Sequence, residues 1–213
     1  VVLCDTNGGT LPSEIAEIVK EVTKKIPGEN LGIHCHNDTG NAVANSIAAV
    51  EAGVRQIQGT INGLGERCGN ANLTSVIPIL MLKMGFDVGI SEEKLKNLTK
   101  TSHFLDDLLA KPRDRFAPFV GEFAFAHKGG LHVSAIAKNP KSYEHIEPEL
   151  VGNKRKIMVS DQAGRSNIIA RLKEIGLKGQ GLNEAEDDIK YSQISDLVNK
   201  VKELEAKGYA YDG

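Results

Sequence analysis

Leu31-Gly32-Ile33-His34-Cys35-His36-Asn37-Asp38 runs from a short apolar segment straight into a cluster of polar, metal-competent side chains, and its reading decides the fold class. An apolar triplet this short is a buried strand, and the helical pattern after it, Ala42, Val43, Ile47 and Val50 up to Gly53, starts behind Asp38 or Thr39 as candidate N-cap. Strand, polar corner, amphipathic helix is one βα unit. The same unit precedes it: Val1 to Leu3, the corner Asp5-Thr6-Asn7-Gly8-Gly9, then Ile15, Ile18, Val19, Val22 and Ile26 at helical spacing, with Pro27 as the stop. It also follows: Gln56 to Ile61, the corner Gly63-Leu64-Gly65-Glu66-Arg67-Cys68-Gly69-Asn70, then Leu73, Val76, Ile77 and Leu80. Repetition of βα units predicts parallel strands, and in parallel sheets and barrels the carboxyl ends of the strands carry the chemistry. All three polar corners are therefore expected to face one site.

Beyond Gly85 the rhythm stops. The spacing predicts a helix from about Ser91 to Ala110, an irregular stretch from Pro112 to Gly130, a short segment around Leu131 to Ala137, a strand at Lys156 to Val159 and further helix up to Tyr209. The predicted organisation is a partial barrel over 1–87, a helical linker over 88–120 and a helical subdomain over 121–213. Val1-Val2-Leu3 already reads as a strand under way, so the chain is expected to be a fragment, inactive by itself.

Composition excludes several function classes. The 26 basic and 28 acidic residues nearly balance, which gives no electrostatic ground for a nucleic-acid or membrane partner. No apolar run approaches the roughly 20 residues that span a bilayer. Cys4, Cys35 and Cys68 are odd in number and widely spaced, which argues for thiols in a reducing compartment rather than a disulfide framework. A cytoplasmic protein is expected.

His34 and His36 are separated by two positions on a strand, so both imidazoles share a face while Cys35 takes the other. A bare His-x-His is as readily a hydrogen-bonded pair as a ligand pair. Asn37-Asp38 beside it, with Glu66 and Asn70 at the next corner, points to a divalent cation. Two imidazoles and oxygen donors suit Mg²⁺, Mn²⁺ or Zn²⁺. Asn70 taken alone is a helix N-cap, and Glu66 taken alone is a solvated charge or half of a surface pair with Arg67.

These corners, with Gly121-Glu122-Phe123-Ala124-Phe125-Ala126-His127-Lys128-Gly129-Gly130-Leu131-His132, resemble the 2-isopropylmalate, homocitrate and citramalate synthase family nearly end to end. Cys68 to Asn72, Ser160 to Asn167 and Glu203 to Tyr209 resemble the citramalate synthase branch most. The resemblance implies strands six to eight of a (β/α)₈ TIM barrel followed by helical subdomains. It implies His34, His36 and Asn70 as metal ligands, Thr6 in contact with a 2-oxo acid, Glu66 supporting a catalytic histidine, and His132 and Tyr143 as catalytic residues supplied across a homodimer with shared active sites. The family's metal-binding Asp and catalytic Arg belong to a first-strand motif outside these residues. Without the resemblance, His132 reads as a helix-surface histidine and Tyr143 as packing beside Pro140. The implied reaction condenses acetyl-CoA with a 2-oxo acid, pyruvate in the citramalate branch. The rivals are a 2-isopropylmalate or homocitrate synthase and a metal-dependent lyase or aldolase on the same barrel.

Overall fold

The computed structural model describes residues 1–129, 135–136, 139–158 and 187–209. The chain divides into two compact units, Val1–Arg113 with Pro118–Val120, and Asp114–Ala117 with Gly121–Gly213.

The first unit is α/β. Strands β1 (Val2–Asp5), β2 (Gly32–Cys35) and β3 (Gln56–Gln58) pair in parallel in that order, with Cys4 opposite His34 and His34 opposite Gln58. Helices α1 (Pro12–Thr23), α2 (Ala42–Glu51) and α3 (Leu73–Pro78) follow the respective strands, giving the expected βα repeat. Ile33 and Cys35, at 1% and 0% exposure, join Ile15, Val19, Ala49, Val50 and Val76 in one core between the strands and the helices. Each buried Val or Ile side chain among them contributes about 1.5–3 kcal/mol by leaving water. His34, of opposite parity, lies outside this core, as the two-residue period of a strand requires.

Several local expectations are corrected. Helix α1 ends at Thr23, short of Pro27, because Lys25 and Ile26 both turn their N–H groups onto the Val22 carbonyl. Ile18 sits on the outer edge of its face, 46% exposed. The cap of α2 comes from Asn37, whose Oδ1 accepts from the Ala42 N–H at 3.1 Å, while Thr39 donates to the Gly8 carbonyl and Asp38 is held by Arg67. Beyond α3 the chain makes one π-helical turn, Ile79–Lys83. The helix expected over Ser91 to Ala110 is two, α4 (Glu92–Leu95) and α5 (Leu98–Leu108). The Asn97 side chain takes the Lys94 carbonyl at 3.3 Å, a local bond that competes with helix continuation. Helix α5 is tied to the third corner by Asn62, which donates to the Ser102 carbonyl and to Asp106 and accepts from the Ser102 hydroxyl.

The second unit holds the parallel pair β4 (Ala126–His127) and β5 (Lys156–Ile157), short 3₁₀ turns at Pro140–Ser142 and Pro148–Val151, and a helix α6 (Asp187–Ala206). The strand expected at Lys156 to Val159 is thus present over Lys156–Ile157, and the segment expected around Leu131 to Ala137 lies largely outside the described residues.

Candidate metal centre

The three corners interlock at the carboxyl ends of β1, β2 and β3. The His36 N–H donates to the Asp5 carbonyl at 3.2 Å, Asn37 N–H to Gly69 at 2.9 Å, and Ala71 N–H to Cys35 at 3.0 Å, so His36 and Asn70 are paired across an isolated antiparallel bridge. Gly69, at φ 88°, sits so close to the Gly63 carbonyl that a Cβ there would collide with it. Glycine at that position is what allows the third corner to fold back onto the second.

The rings of His34 and His36 meet edge to face, with centroids 5.1 Å apart. The Asn70 amide is oriented by its Nδ2 donating to the Leu64 carbonyl at 3.1 Å, which leaves Oδ1 facing away. His36 Nδ1 and Asn70 Oδ1 are buried and have no hydrogen-bond partner among the described residues. A buried polar atom without a partner costs about 1–3 kcal/mol, and two on bridge-paired residues beside a second imidazole make a donor set that a divalent cation satisfies. Among the described residues no cluster of three His, Cys, Asp or Glu side chains forms, and the candidate donors here, two imidazoles and an amide oxygen, include no carboxylate.

Beneath the first corner lies a network that sequence reading missed. Asp5, 6% exposed, accepts from the Thr10 hydroxyl at 2.9 Å, and Asn45, fully buried on α2, donates to the Thr10 carbonyl at 2.8 Å and to Asp5 at 3.4 Å. The signal was an Asn inside an otherwise apolar helix pattern. Across the corners, Arg67 grips Asp38 at 2.7 and 3.0 Å and reaches the Thr6 carbonyl at 2.8 Å. The Arg67 guanidinium holds the Asp38 carboxyl below its ordinary pKa. Thr6 is exposed and lines a cleft of about 860 Å³ along β1, which His34, His36 and Asn70 do not line. Glu66 has an 84% exposed side chain and approaches Arg67 to 3.7 Å. His132 lies outside the described residues.

The HMGL-like family profile matches residues 1–104, and the homocitrate synthase post-HMGL domain-like profile matches residues 119–208. The chain belongs to the 2-isopropylmalate, homocitrate and citramalate synthase family. Within this family it is 58% identical to an (R)-citramalate synthase of Aquifex aeolicus over all of its own length and 38% of the relative's. It is 49% identical to that of Synechocystis, again over its whole length and 38% of the relative. A 2-isopropylmalate synthase of Methanocaldococcus jannaschii is 40% identical over 96% of this chain and 38% of that one. The chain thus spans about two fifths of the length of these relatives.

In the second unit, the post-HMGL part of the family, Tyr143 follows the Pro140–Ser142 turn and is 45% exposed. Next to it, Glu144 is buried and takes a two-pronged grip from Arg155, at 2.5 Å on each oxygen, and His127 Nε2 at 3.1 Å. Burial pushes the Glu144 carboxyl up, but the hydrogen bonds from Arg155 and His127 outweigh it and hold the group below the usual carboxylate range. On the same unit Arg115 and Lys156 hold Glu122 down at about 2. His145 stacks on Phe125, with centroids 5.8 Å apart.

Proposed function

We propose that this protein is a citramalate synthase, an acyltransferase that condenses acetyl-CoA with pyruvate. Its strands β1 to β3 would be strands six to eight of a (β/α)₈ barrel, with residues 1–87 as the barrel part, 88–120 as linker and 121–213 as the post-barrel subdomain. The observation that carries the reading is the pair of buried atoms without a partner among the described residues, His36 Nδ1 and Asn70 Oδ1, beside His34 at the strand ends. The branch is supported by full-chain identities of 58% and 49% to (R)-citramalate synthases, against 40% to a 2-isopropylmalate synthase. The match of residues 119–208 to a homocitrate synthase post-HMGL domain supports a synthase over a lyase or aldolase, which would leave those residues without a role.

His34, His36 and Asn70 would hold a divalent cation, Mg²⁺ or Mn²⁺ with Zn²⁺ also compatible. When bound, such an ion supplies Lewis acidity to the 2-oxo carbonyl and charge stabilisation to the oxygen that becomes an alkoxide. Thr6 would contact the oxo acid at the first corner. His132, directly or through one water, would take a proton from the acetyl methyl, and Glu66 would support that histidine. The methyl carbon then bonds to the pyruvate carbonyl carbon, the former carbonyl oxygen is protonated to the hydroxyl, and water cleaves the thioester to carboxylate and CoA thiol. His132 and Tyr143 would reach the site of the partner in a homodimer. The enzyme would be cytoplasmic, without membrane or nucleic-acid partners; among the described residues no helix is long and apolar enough to cross a membrane.

The test is CoA release from acetyl-CoA by the complete protein with pyruvate, 2-oxoisovalerate or 2-oxoglutarate. Faster release with pyruvate is expected, and a clear preference for 2-oxoisovalerate would assign the protein to the isopropylmalate branch.

A further inference from the structure

We propose that Arg67 is a positioning residue for the metal and oxo-acid site, a clamp that sets the three strand-end corners against one another; the inference rests on reading His34, His36 and Asn70 as ligands. The side chain belongs to the third corner, three residues before Asn70. Its Nε and Nη2 grip both oxygens of Asp38, two residues after His36 on the second corner, at 2.7 and 3.0 Å. The same Nη2 donates at 2.8 Å to the carbonyl of Thr6 on the first corner. One planar group therefore joins segments 29 and 61 residues away in sequence.

Two further features mark the arrangement as built. Arg67 has φ 56°, the left-handed region that a residue with a Cβ seldom occupies and holds only where its surroundings dictate it. The turn around it is closed by the Gly69 N–H on the Glu66 carbonyl at 2.9 Å, and the Asn70 N–H on Gly63 at 3.0 Å carries that turn to Asn70, whose Oδ1 has no partner among the described residues. On the other side Gly8 leaves no room for a Cβ against Asp38, so the first corner packs directly on the gripped carboxylate.

The chemistry selects arginine. A guanidinium offers a rigid fork for two carboxylate oxygens and a further N–H for a carbonyl, whereas an ammonium on a flexible stem reproduces at most part of that geometry. The Arg67 side chain is 43% exposed and Asp38 24%, and ion pairs this open contribute little to global stability. Its contribution is therefore expected in the mutual placement of Thr6, His36 and Asn70 rather than in whether the fold forms.

The experiment compares the complete wild-type protein with R67A, R67K, D38A and the D38A/R67A double variant. Mn²⁺ affinity is read from loss of the free-ion EPR signal, steady-state constants for pyruvate are measured beside it, and thermal unfolding is followed in EDTA. R67A is expected to bind Mn²⁺ roughly 10- to 100-fold more weakly, the usual cost of losing the support behind a ligand. The KM for pyruvate should rise with it, while the metal-free unfolding midpoint stays near that of the wild type. R67K should recover part of the loss, and the double variant should be no worse than R67A. Unchanged Mn²⁺ binding in R67A, or a drop in metal-free stability that accounts for the whole effect, overturns the inference alone. If R67A does not fold, R67K decides: wild-type behaviour in it overturns the clamp. Absence of Mn²⁺ binding by the wild type overturns the ligand reading and this inference together.

Discussion

Replacing Asn70 by alanine separates a ligand from a structural residue, because the two roles predict different dependence on metal. In the metal-free protein the amide does one useful thing: its Nδ2 donates to the Leu64 carbonyl at 3.1 Å. That carbonyl also accepts the Thr60 hydroxyl at 2.5 Å, so it remains satisfied in the variant. The variant loses about 1 kcal/mol for the hydrogen bond and recovers about 1–3 kcal/mol from the buried, unpartnered Oδ1, and lost packing of the amide brings the balance to within about 1 kcal/mol of zero. With Mn²⁺ at about 100 times the wild-type dissociation constant, binding stabilises the wild type by about 2.7 kcal/mol. If losing the oxygen donor weakens affinity about 100-fold, the variant gains only about 0.4 kcal/mol at the same concentration. The difference of about 2.3 kcal/mol corresponds to about 5–9 °C in the midpoint of a domain of about 150–250 residues, and to less in a larger one. Melting curves of the complete protein in EDTA and in MnCl₂ should therefore nearly coincide in the first and separate in the second. An equal separation in both conditions, or a wild type whose midpoint ignores Mn²⁺, would refute the reasoning.

Three other outcomes follow from the geometry. Glu144→Gln should lower stability by about 3 kcal/mol at pH 7, since it leaves Arg155 and His127 without the buried carboxylate they share. Because the folded carboxyl lies below its ordinary 4.5, this contribution is full above that value and is lost as pH falls through the folded pKa; urea unfolding should show the gap narrowing below about pH 4, and a constant gap down to pH 3 would exclude the ionic role. Alkylation followed by peptide mapping should modify Cys68 readily and Cys35 only after unfolding, because Cys35 is fully buried and desolvation raises its thiol to about 11; equal rates would contradict the assigned burial. Mixing inactive His36→Ala with inactive His132→Ala subunits should restore part of the activity if the site is shared between subunits, and no recovery despite proven subunit exchange would place His132 within its own chain or outside the reaction.

Local periodicity determined what depends on neighbouring residues. The alternation of apolar runs with helical patterns predicted three parallel βα units, and strand parity put Cys35 in the core and His34 outside it, with His36 one residue past the end of β2. These features are short-range, so a single sequence carries them. Where the corners' polar side chains go was decided by tertiary approach. Asp38, a natural helix cap by type, is instead drawn across to Arg67, and Asn37 takes the capping role. Asn70, equally plausible as a cap, yields that function to Asn72, whose Oδ1 accepts from the Thr74 N–H at 3.0 Å, and presents its own oxygen to a buried, unpartnered position. Glu144 carries no signal in its neighbours along the chain, and its partners His127 and Arg155 come from the segments at β4 and β5. A short polar side chain satisfies whichever donor or acceptor lies within about 3 Å, and which one that is depends on segments tens of residues away. Spacing along the chain therefore located the candidate site, and only the packing of its three corners decided which of its buried atoms have no partner among the described residues.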